Sequence, residues 1–94
     1  MRKSKLDFVA LFGSGAYYAL QKKVDRNRED ISIRREDGLA AEIHNYPYRI
    51  NQIPAYIFDE LMREGLLKED GTDELGGTIF RATESARKVA LRAA

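Results

Sequence analysis

His44 is the single histidine in this 94-residue chain, and Glu42 stands two positions before it, on the same side of any strand that holds both. One imidazole and one carboxylate fall short of the three or four ligands a zinc site needs, so a surface strand pair is the simpler account. Ser4, Ser14, Ser32 and Ser85 offer hydroxyls, but a base must activate them, and His44 has no signature that places an acid behind it. Asp59 and Glu60 are adjacent carboxylates. On a helix, neighbours point about 100° apart, which suits them poorly to flanking one scissile bond. Gly13-Ser14-Gly15 has the composition of a phosphate-cradling loop, yet no strand-like run precedes it and no Lys-Ser/Thr follows. Two glycines within three residues read instead as the end of a helix. These residues do not add up to an enzyme, and neither a metal nor a cofactor is expected.

Side chains that could hold or read a nucleic acid are more numerous. A helical stripe from Pro54 to Glu64 leaves Gln52, Ala55, Tyr56, Asp59, Glu60 and Arg63 on its solvent side. Gln52 can pair with an adenine edge, Tyr56 can reach a phosphate or a thymine methyl, Asp59 can accept from a cytosine amino group, and Arg63 can hold the backbone. Phosphate affinity would have to come from Arg2, Lys3, Lys5, Lys22, Lys23, Arg26, Arg28, Arg34, Arg35 and Arg81. Charge is distributed unevenly beneath a formal net of +1. Residues 1–35 carry nine basic and four acidic side chains, whereas residues 59–74 carry seven acidic and two basic. An acidic helix is repelled by phosphates, so the same residues also suit a basic protein partner or a second copy of the chain. Tyr46, Tyr48 and Tyr56 would serve such an interface as aromatic anchors.

The elements that must position these side chains are written in the spacing. Ser4-Lys5-Leu6-Asp7 fits a capping box before a short helix through Phe12. Residues 16–24 fit both periods: Tyr17, Leu20 and Val24 are spaced for a helix, and Tyr18, Leu20 and Val24 for a strand face, with a slight lean to helix. A polar turn is expected over 25–30. Ile31 to Arg35 alternates, Asp37-Gly38 turns, and Leu39 to His44 alternates back, which predicts a β-hairpin over about 31–44. Residues 45–49 read as an extended linker before Pro54 opens the next helix, capped by Asn51 or Gln52 and ended by Gly65. A short strand from Leu66, a Gly- and acid-rich loop expected to be mobile over 70–77, and a return strand from Thr78 to Ala82 follow. Thr83 to Ser85 caps a last amphipathic helix. Ile33, Ile43, Ile57, Leu61, Leu66, Ile79 and Val89 are expected to share one core.

Leu61-Met62-Arg63-Glu64-Gly65-Leu66-Leu67 resembles the Leu-x-x-x-Gly-Leu-Leu pattern that ends the recognition helix in the winged helix-turn-helix superfamily of bacterial regulators. Phe80, Thr83 and Arg87-Lys88 are similar to the way those proteins leave the wing. The likeness covers about the last 45 residues, and it implies an α+β winged-helix domain. In that domain 52–65 would be a recognition-type helix, 66–82 the wing and 83–93 the closing helix, with the 31–44 hairpin as an addition before them. The order of elements also looks like the YjhX-type family of small bacterial proteins described as toxins, in which a β-hairpin replaces the second helix. The first likeness implies a transcriptional regulator that binds double-stranded DNA. The second fits a winged helix that binds protein or itself and leaves DNA alone.

Composition bounds both readings. With 44% hydrophobic and 33% charged residues the chain can fold around a single core. It has no cysteine, which removes disulfides and thiolate metal sites. No apolar run approaches the roughly 18 residues of a membrane span, and Asp7 interrupts any secretory apolar stretch, so a cytoplasmic protein is expected.

Overall fold

Phe8, Val9 and Phe12 fall on one stripe of the first helix, α1 (Lys5–Gly13), and all three are buried. The computed structural model that places them describes residues 5–25, 28–40 and 51–93, so the expected cap Ser4 lies outside the described residues. Ser14 closes α1, its N–H donating to the Ala10 carbonyl at 3.1 Å and its hydroxyl to the Leu11 carbonyl at 2.7 Å. Gly13 does more than end the helix. A Cβ there would sit 2.7 Å from the Ala90 Cβ and 3.2 Å from the Ala86 carbonyl, so the missing side chain is what lets the last helix, α3 (Glu84–Ala93), cross α1 closely.

The ambiguous stretch after α1 is a strand, β1 (Tyr17–Asp25), against the lean towards helix. Its period was hidden because both faces bury a side chain: Ala19 packs into the core and Leu20 is buried on the other face, against Gly77. β1 pairs antiparallel with β2 (Arg28–Arg35), which corrects the expected hairpin over 31–44. The alternation of Ile31 and Ile33 is real, but their strand partners precede them, with Ala19 opposite Ile33 and Gln21 opposite Ile31. The Asp37-Gly38 turn forms and leads out of the sheet; Leu39 and Ala40 are in no strand, and residues 41–44, with Glu42, Ile43 and His44, lie outside the described residues, as does the expected linker over 45–49. Of the turn expected over 25–30, Asp25 belongs to β1 and residues 28–30 to β2, and residues 26–27 lie outside the described residues.

α2 (Ala55–Arg63) starts behind Pro54 and buries Ile57, Phe58 and Leu61. No side chain caps it; Asn51 instead turns at φ +62° and Gln52 pairs with Ser32. Gly65, at φ +70°, ends the helix as its sequence position suggested. β3 (Leu67–Thr72) and β4 (Thr78–Ala82) form the following hairpin, and Thr83 accepts the Ala86 N–H at 3.3 Å to start α3. β3 runs further into the acidic segment than expected, through Thr72. At the tip Asp73 Oδ1 accepts the N–H groups of Leu75 at 3.1 Å and Gly77 at 2.6 Å, giving the loop an internal frame.

The four strands make one antiparallel sheet in the order β2-β1-β4-β3. All three helices pack on the face formed by Ala19, Ile31, Ile33, Leu67, Phe80 and Ala82. Phe58 meets Phe80 edge-on at 4.9 Å and locks α2 to the centre of the sheet. Of the expected core, Ile33, Ile57 and Leu61 are buried, whereas Leu66 and Val89 are partly buried against it and Ile79 is half-buried on the other face. The opposite face, by alternation, carries Tyr18, Leu20, Ser32, Arg34, Ile79 and Arg81. Among the described residues no helix is long and apolar enough to cross a membrane.

Candidate nucleic-acid interface

Residues 51–53 run antiparallel along the outer edge of β2. The Ile33 N–H donates to the Asn51 carbonyl at 2.7 Å and the Ile53 N–H to the Ile31 carbonyl at 3.1 Å, with Ser32 opposite Gln52. These bonds cover a strand edge that would otherwise be open. They also fix where α2 begins, because Pro54 follows directly. Gln52 therefore lines two adjoining depressions, one shared with Ser32 and Arg34, the other with Asp30, Pro54, Ala55 and Tyr56. Arg34, Gln52 and Tyr56 form a continuous strip from the β2 edge onto the first turn of α2. Arg34 is exposed, with its Nε 3.4 Å from the Ser32 hydroxyl, and Tyr56 is 60% exposed.

The first turn of α2 holds no acidic residue. Asp59 is exposed midway along, and Glu60, Arg63 and Glu64 gather at the far end around Lys5 of α1. The Lys5 ammonium donates to both Glu64 carboxylate oxygens, at 3.0 and 2.8 Å, and lies 3.9 Å from Glu60. No sequence signal announces this contact, which joins residues 59 positions apart.

The other residues singled out in the sequence are scattered. Lys22 sits opposite Asp30 on the face that bears Arg34, whereas Lys23, opposite Glu29, and Arg35 belong to the other face. Arg35 is bound to the Asp37 carboxylate. That carboxyl is held below the usual range, first by the Leu39 N–H and then by Arg35. Arg81 is committed elsewhere in the fold. Its Nε and Nη2 donate to Glu36 at 2.7 and 3.1 Å, its Nη1 donates to Asp70 at 2.8 Å, and its guanidinium lies 5.2 Å over the Tyr18 ring. These bonds, Glu36 first, push its pKa above even the ordinary guanidinium value. Among the described residues no three His, Cys, Asp or Glu side chains gather as a metal site would require.

No protein-family model, curated protein or solved structure matches the chain. What the strip does must therefore be argued from its own chemistry.

Proposed function

We propose that this chain is a small winged-helix protein that binds double-stranded DNA through the start of α2 and the β2 edge, and that it acts as a transcriptional regulator. The observation that carries this reading is the pairing of Ser32 with Gln52, which sets Gln52 between Arg34 on one side and Tyr56 on the other. When a helix lies in the major groove its N-terminal residues reach the base edges. Here that turn holds no acid of its own and presents the positive end of the helix dipole, with Asp30 of β2 in the same depression and Arg34 on the far side of Gln52. Gln52 suits an adenine edge, Asp59 a cytosine amino group and Arg34 a phosphate. Of the seven acids over 59–74, Glu60 and Glu64 lie at the other end of α2 next to Lys5, Asp59 lies midway along it, and Glu69, Asp70, Asp73 and Glu74 belong to the β3–β4 hairpin. Arg81 and Arg35 leave the set of phosphate contacts, since their guanidinium groups are already bonded to carboxylates.

A second reading, binding to a protein, is favoured by Tyr56 standing exposed on the same helix side as Asp59, an aromatic and acidic surface suited to a basic partner. A fluorescence anisotropy titration against random duplex DNA at low and moderate salt separates the two. The DNA reading expects micromolar binding that weakens steeply with salt. Flat traces at both salt concentrations would reject it in favour of the protein reading.

A further inference from the structure

Resting on the DNA reading, we infer that Lys5 is an electrostatic shield for α2: it neutralises Glu64 and Glu60 so that the helix can approach a polyanion, without touching the nucleic acid itself. The geometry is that of a two-pronged ion pair between elements far apart in sequence. Lys5 opens α1, Glu60 and Glu64 are one turn apart on α2, and the ammonium sits between them with both Glu64 oxygens in hydrogen-bond range. All three side chains are between a third and a half exposed, so their charges face the solvent that a duplex would displace. Arg63, in the same depression, adds a second cation to that end of the helix. With the clamp intact, these four residues carry no net charge; without Lys5 they carry an excess negative charge at the end of the helix away from the contact strip. Its partners, first the Glu64 hydrogen bond, push the Lys5 pKa up from its ordinary value. The Lys5 ammonium therefore keeps its charge below the usual lysine range and loses it only as pH rises through the raised value.

Shielding and direct phosphate contact leave different signatures. A lysine on a phosphate releases counterions, so removing it lowers the salt slope by about 0.9, whereas removing a shield that touches no phosphate lowers it by less, through screening alone. The test is anisotropy on random duplex DNA over a salt series for the whole chain, Lys5→Gln, Glu64→Gln and the double variant. Lys5→Gln is expected to lose roughly twofold to fivefold in affinity at low salt, the size of one or two screened charges near a phosphate. Its slope should fall by well under the roughly 0.9 of a lost phosphate contact, and the loss should shrink in the Glu64→Gln background, where the main charge to be shielded is gone. Equal affinity of Lys5→Gln and the parent, a slope lower by about one, or an undiminished loss in the Glu64→Gln background would each overturn the shielding role while leaving DNA binding intact. Failure of the parent chain itself to bind would overturn the DNA reading and the shield together. Lys5→Gln should melt within a degree or two of the parent, because exposed ion pairs contribute little to folding, and an unfolded variant is thereby recognised.

Discussion

Leu61 is 1% exposed and sits where α2 meets the sheet, so Leu61→Ala is expected to lower stability by about 2–5 kcal/mol in a urea titration. A loss under about 0.5 kcal/mol would mean that the helix is seated by another face. Gly13 is tested by the opposite change. Adding one methyl group drives it to 2.7 Å from the Ala90 Cβ, and Gly13→Ala should cost about 1–3 kcal/mol through overpacking. A stabilised Gly13→Ala, as helix propensity alone would favour, would show that α1 and α3 can separate freely. Leu61 was legible because three turns of regular spacing announced it. The role of Gly13 was not, since the sequence shows a helix breaker and says nothing of which helix passes over it. Arg81 makes the same point: its sequence neighbours suggest a free cation, while its carboxylate partners, Glu36 and Asp70, come from the turn after β2 and from β3. Arg81→Ala is expected to lower stability by about 1 kcal/mol, a value discounted for its partial exposure.

At the scale of elements, the segment from Pro54 to α3 could be read because each piece carries its own local signal: a proline, a glycine at φ +70°, a glycine-rich loop and a threonine cap. The first half could not, because β1 buries Ala19 on one face and Leu20 on the other, which blurs a period of two. The Asp37-Gly38 pair drew attention away from the true partner of β2 as well. That turn signal is sound, but a turn alone does not say that the chain returns alongside. The β1–β2 pairing carries an expectation of its own. Tyr17 and Arg35 stand opposite each other near one end of the ladder, and amides from Ala19 to Gln21 should be protected from hydrogen exchange as strongly as those of β4, which β1 pairs with on its other side. Rapid exchange at Leu20 with slow exchange in β4 would contradict a four-stranded sheet. At the tip of the β3–β4 hairpin, Asp73→Ala removes the acceptor for two N–H groups and should quicken exchange at Leu75 and Gly77 without unfolding the domain.

Among the described residues the open face of the sheet and the start of α2 adjoin along the β2 edge, where residues 51–53 run beside Ile31 to Ile33. On the DNA reading, contact is concentrated there, so Arg34→Ala should weaken binding and lower the salt slope by about 0.9, while Arg35→Ala should do little because Asp37 already holds it. The sequence treated the two arginines as one pair; strand alternation sends them to opposite faces. The most direct measurement is an NMR titration of amide shifts with a short random duplex. The account predicts that the largest changes fall at Ser32 to Arg34 and at Gln52 to Tyr56, with smaller changes towards Glu64. Changes confined to α3 or to the β3–β4 hairpin, with Arg34, Gln52 and Tyr56 unmoved, would contradict it.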